Sequence, residues 1–125
     1  MLFAWDEAKS RRNLSERGFG FDYAARIFLG STLERPDVRR DYGEARVQAI
    51  AQAGDDVLFV VYTDRDTVRH IISARLASRK ERKLWHAFVE HWKASGASSR
   101  GPAGPGSRPP LRPIFGGTGA RTMRR

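Results

Sequence analysis

Cations dominate the residues in this chain that could do chemistry. The stretch RHIISARLASRKERKLW, residues 69–85, carries Arg69 and Arg75 on a strand-like segment, then Arg79, Lys80, Arg82 and Lys83 where a helix opens. A helix N-terminus is already partly positive, so each cation there is unfavourable by about 0.3 kcal/mol or more unless an anion joins it. Free N–H groups at a helix start, with cations beside them, make a phosphate site. Strand side chains alternate between faces, which places Arg46 with Gln48 and groups Arg69, Ser73 and Arg75. If helices cover only one side of the sheet, these residues meet Arg79 and Lys80 on the other. The competing reading is a solvated face in which Glu81 and Glu90 soften the repulsion, and the sequence leaves both open.

Other chemistries find little support. His70 shares its predicted face with Val68 and Ile72, so a satisfied, half-buried imidazole is expected there rather than a catalyst. His86 and His91 stand five apart on the predicted last helix, a poor spacing for joint metal ligation. The chain has no cysteine, which excludes disulfides, thiol catalysis and Cys-ligated zinc. No zinc, P-loop, dinucleotide or serine-triad pattern occurs, and no metal or cofactor is expected.

The totals agree with an anionic partner but also dilute the signal. The chain has 125 residues, a formal net charge of +9 and a pI of about 11.0, which favours nucleic acid as partner. Six of those nine charges belong to residues 94–125, which hold six arginines and no acidic residue. The same segment holds five of six prolines and seven of twelve glycines. Such a composition cannot bury enough surface to offset its ordering entropy, so 94–125 is expected to be a disordered basic tail. Leu111, Ile114 and Phe115 are its plausible docking points. Residues 1–93 form the expected domain. No apolar run approaches the ~20 residues of a membrane span and no signal peptide opens the chain, so a soluble, cytoplasmic protein is expected.

The elements that must position these cations read as α+β. Asp6 caps a helix ending at Arg17 with Gly18 as its stop. Asp22 can cap a second, shorter helix ended by Gly30. Pro36 suits only an edge strand, residues 45–52 alternate as a half-buried strand, and VLFVVY (57–62) is apolar throughout, as for a central strand covered on both faces. Residues 67–74 form the next strand. Ser78-Arg79-Lys80-Glu81 is a capping box opening a long helix, whose Leu84, Trp85, Phe88, Val89 and Trp92 make one apolar stripe. The prediction is an antiparallel meander of three to four strands with two N-terminal helices and one long C-terminal helix.

Several of these segments resemble the BrnT toxin family. FAWDEAKSRRNLSERGFGFDYAARIF is similar to its Phe-x-Trp-Asp-x-x-Lys opening and the short helix that follows. DYGEAR (41–46) is similar to its Gly-Glu-x-Arg element, and IISARLASRKER (71–82) to its Ile-Ile-Ser-Ala-Arg-x-Ala-Ser/Thr-x-x-Glu-Arg element. The likeness spans about residues 2–92. Matching polar positions are Asp6, Lys9, Asn13, Glu44 and Arg46, then Ser73, Arg75, Ser78, Glu81 and Arg82. Two positions depart: Arg17 stands where relatives often have His, and His70 where they often have Arg. The resemblance implies a RelE-like fold and the ribonuclease toxin of a bacterial type II toxin–antitoxin pair. It also implies a BrnA-type antitoxin with a ribbon-helix-helix part, through which alone the complex would meet DNA.

On that resemblance, RNA cleavage by attack of its own 2′-hydroxyl needs charge stabilisation and proton transfer, but no metal. Arg46 and Arg75 are the expected transition-state stabilisers, Glu44 the candidate general base or else an ion-pair partner, and Arg69, Arg79, Lys80 and Arg82 the expected RNA contacts. Growth arrest by blocked translation would follow. A non-catalytic RNA-binding or antitoxin-binding module, or a degenerate toxin, is the alternative.

Overall fold

The computed structural model describes residues 1–94 and 112–113. The elements run β1 (Leu2–Trp5), α1 (Glu7–Arg17), α2 (Phe21–Ala24) continuing into a 3-10 turn (Ala25–Leu29), β2 (Leu33–Pro36), β3 (Val47–Ala53), β4 (Asp56–Arg65), β5 (Val68–Leu76) and α3 (Arg79–Ala94). The five strands order as β1-β5-β4-β3-β2, and Arg112–Pro113 adds a short parallel bridge along β2. The rest of the tail expected to be disordered lies outside the described residues.

The local signals were well placed. The Asp6 carboxylate accepts from Lys9 N at 3.1 Å, and Gly18 closes α1 in the left-handed conformation at φ 90°. The capping box is reciprocal: Ser78 N donates to Glu81 Oε1 at 2.8 Å, and Glu81 N to Ser78 Oγ at 3.2 Å. α1 is largely polar, and polar bonds dock it. Buried Ser10 Oγ accepts from Phe21 N at 2.8 Å, and buried Asn13 donates to the Phe19 carbonyl at 2.9 Å. β4 is buried from Val57 through Thr63, as its apolar run requires of a central strand.

Four features differ from the sequence reading. The sheet is mixed and has five strands rather than three to four, because LFAW forms β1 and pairs parallel to β5. α2 begins at Phe21, behind Gly20, and Asp22 Oδ1 instead accepts from its neighbour's Tyr23 N. Helical segments cover parts of both sheet faces: Phe28 of the 3-10 turn meets Tyr62 edge to face, whereas Trp85 of α3 donates to Gln52 on the opposite face. Finally, β5 carries a bulge at Ile72. Among the described residues, no helix is long and apolar enough to cross a membrane.

Candidate functional site on the open sheet face

The bulge decides which cations can act together. Val61 pairs with Ser73 but Tyr62 with Ile71, so Ile72 is an extra residue. Directly paired residues share a face and a bulge reverses the alternation beyond it. Arg75, opposite Phe59, therefore joins Ser73 and His70, whose partners are Val61 and Thr63. Arg69, opposite Asp64, faces the other way with Tyr62. Grouping Arg69 with Arg75 by counting is corrected by this single residue.

Arg69 is 1% exposed and sealed inside the face that the 3-10 turn covers. Its guanidinium bonds both oxygens of Asp64, at 2.8 and 2.9 Å, and lies 4.1 Å from the Tyr62 ring centre and 4.7 Å from that of Phe28. Tyr62 in turn donates to Glu34 at 2.9 Å, and burial pushes its hydroxyl far above the ordinary range. A guanidinium packed this way cannot reach RNA; it holds the core together.

The opposite face is buried over β3 and β4, at Gln48, Ile50, Phe59, Val61 and Thr63, opens along β5 at exposed Ser73, and carries cations at both ends. At the α3 end, Arg75 bonds Glu81 in bidentate fashion at 2.8 and 3.0 Å and rests 4.0 Å from the Phe59 ring centre. Burial pushes the Glu81 carboxyl up, but the bonds from Arg75 and Ser78 N outweigh it and hold it below the usual range. Arg79 and Lys80 are exposed and have no ion-pair partner among the described residues; exposed Arg82 donates to the Ala77 carbonyl at 2.9 Å.

At the far end, Glu44 gathers two guanidiniums: Arg46 Nε at 3.2 Å and Arg65 Nε and Nη2 each at 3.1 Å. Arg46 also stacks 4.1 Å from the Tyr42 ring centre. Burial raises the Glu44 pKa, yet hydrogen bonds from Arg65 and Arg46 overcome this and leave it lowered. A base works best with a pKa near the working pH, so Glu44 is better built to orient arginines than to take a proton.

Arg46 and Arg75 do lie on the same side, since the Arg46 carbonyl accepts from Asp37 N and the alternation of β3 carries back to it. They do not converge. Val47 pairs with Tyr62 and Arg75 with Phe59, so strand geometry sets the Cα atoms of Arg46 and Arg75 about 16 Å apart. One phosphate-sized pocket between them is therefore replaced by two cationic poles on one surface.

Sequence reading missed what lies between the poles. Arg35 Nε donates to Gln48 at 2.7 Å, and Gln48 donates to Asp37 at 3.1 Å. Asp37, its side chain fully buried, also takes a bidentate Arg39 at 2.8 Å to each oxygen. The Arg39 bonds hold the Asp37 carboxyl low, while burial lowers the Arg35 guanidinium. Pairing with Gln48 on β3 brings Arg35 onto this face, a neighbour that the order of residues does not give.

Fold and charge together define a small α+β protein with one sheet face sealed by helices and the other open along β5, with an arginine pole at each end. A family model described as ribonuclease toxin, BrnT, of type II toxin–antitoxin system matches residues 5–81. That span exceeds half of the chain, and the chain belongs to this family. The family is one of ribonucleases with an antitoxin counterpart. A search of curated proteins finds no match.

Proposed function

We propose that this protein is a metal-independent endoribonuclease of RelE-like fold, a bacterial toxin that acts in the cytoplasm, cuts RNA and halts translation and growth until a BrnA-type antitoxin binds it. The observation that carries the reading is the partly open sheet face with arginines at both ends, in a chain of a ribonuclease toxin family. RNA lies across that face. Arg46 and Arg75 bind successive parts of its backbone and stabilise the charge that builds during 2′-hydroxyl attack, while Arg79, Lys80 and Arg82 hold flanking phosphates. Glu44 and Glu81 fix the two guanidiniums in place, a preorganisation that lets charge stabilisation act without rearrangement. Arg69 has no part in RNA contact.

A binding module without catalysis is favoured by one observation: Arg46 and Arg75 each already hold a carboxylate. The experiment that separates the readings induces the chain alone and together with the product of the adjacent gene, scoring growth and RNA integrity. Purified protein is then assayed with a metal chelator. Cleavage that survives chelation and stops with the antitoxin supports the toxin reading; intact RNA overturns it.

A further inference from the structure

We infer that His70 is the proton-transferring residue of the open face, taking the proton from the attacking 2′-hydroxyl. This deepens the ribonuclease reading and rests on it. Arginines cannot do this task, because a guanidinium does not lose its proton in proteins. Glu44, Glu81 and Asp37, the carboxylates bound to these arginines, have lowered pKa values and are weak bases. That leaves a ribonuclease surface with charge stabilisers and no competent base, except for one imidazole.

The bulge brings that imidazole to the surface. Without it, counting puts His70 with Val68 and Ile72; with it, His70 stands opposite Thr63 and on the side of Ser73 and Arg75. His70 is half-buried, yet no hydrogen bond, ion pair or ring contact to its side chain exists among the described residues. No buried side-chain polar atom lacks a partner among the described residues, so the His70 nitrogens reach solvent and are free to meet a ligand beside the arginines. Its surroundings are Ala4 on β1, Ser73 and Val68 on β5, and Thr63 on β4, which donates its own hydroxyl to the Ala45 carbonyl at 2.7 Å. Arg65 stands diagonal across the ladder at about 7–8 Å; beyond Thr63 stand Arg46 and the Glu44 that binds both arginines. Thus the imidazole borders the pole where Arg46 and Arg65 would clamp a phosphate.

In the step, an imidazole nitrogen accepts the 2′-hydroxyl proton as the 2′-oxygen bonds to the adjacent phosphorus. The bond from phosphorus to the 5′-oxygen breaks, that oxygen keeps the electron pair, and a water molecule supplies its proton. The products are a 2′,3′-cyclic phosphate and a 5′-hydroxyl, and the imidazolium later returns its proton to solvent.

The test measures kcat and KM of the purified full chain on single-stranded RNA from pH 4.5 to 9. The wild type should lose activity as the pH falls, because a protonated imidazole cannot accept the 2′-hydroxyl proton. His70→Gln should lower kcat by about 10²–10⁴-fold with little change in KM, and should lack the acid limb. His70→Arg, which keeps a cation, should not recover the rate, whereas added imidazole should partly rescue His70→Ala. Thermal melting confirms that the variants fold. A wild-type profile without an acid limb, a His70→Gln enzyme near wild-type rate, or rescue by arginine overturns the role of His70 and leaves the ribonuclease reading standing. Wild-type protein that leaves RNA intact overturns both.

Discussion

Arg69 and Arg75 sit on one strand, six residues apart, each against an aromatic ring and each bound twice by a carboxylate. Their fates are opposite. Arg69 is 1% exposed, wedged between Tyr62 and Phe28; the Arg75 side chain is 39% exposed and bonded to the first turn of α3. The same pair of interactions thus builds a core on one face and offers a cation on the other. What differs is the depth of the guanidinium and not of its partner, since the Asp64 side chain is 40% exposed and that of Glu81 17%: Arg69 fills core volume, whereas Arg75 keeps one side in water.

The largest expected effect follows from this contrast. Arg69→Ala should destabilise the fold by about 2–5 kcal/mol, the cost of emptying a buried site, read as a drop in the denaturation midpoint. Equal midpoints for the variant and the wild type would break the comparison. Arg75→Ala should shift stability by less than about 1 kcal/mol but reduce RNA cleavage roughly 10²–10³-fold, measured on purified protein with the melting curve as control. A variant that unfolds instead would move Arg75 to the structural side.

Acid should test the carboxylates that hold the open-face arginines. Glu81, Glu44 and Asp37 have lowered folded pKa values, so their contribution is complete above the unfolded values near ~4 and is lost as pH falls through the folded ones. Melting temperature should therefore fall between pH 5 and pH 3, and fall less in Glu81→Gln. The smallest effect is expected for deletion of Ile72. Removing the extra residue leaves a regular ladder with the same pairs, so Arg69 stays buried and Arg75 stays open. A loss of about 1–2 kcal/mol from packing with cleavage retained would confirm that the bulge only corrects the parity.

Much of the fold was legible because its causes are local. Asp6, Gly18 and the Ser78–Glu81 box act within one helical turn, and VLFVVY declares its burial by composition. β1 was not legible: four residues next to a strong helix cap give no sign of a parallel partner more than sixty positions away. Of the residues named from sequence, Arg75 lies on β5, Arg79 and Lys80 open α3, and Arg46 stands just before β3. Arg35, Arg65 and the exposure of His70 were missed because each depends on which strand lies alongside.

Sequence by itself determined where helices start and stop, which strand is central, and the motifs that mark a toxin family, since these depend on neighbours in the chain. Only tertiary structure decided which face each arginine occupies, how far apart the two poles lie, and that the His70 side chain has no partner among the described residues. A bulge is set by pairing across strands, and the order of residues along one strand does not contain that information.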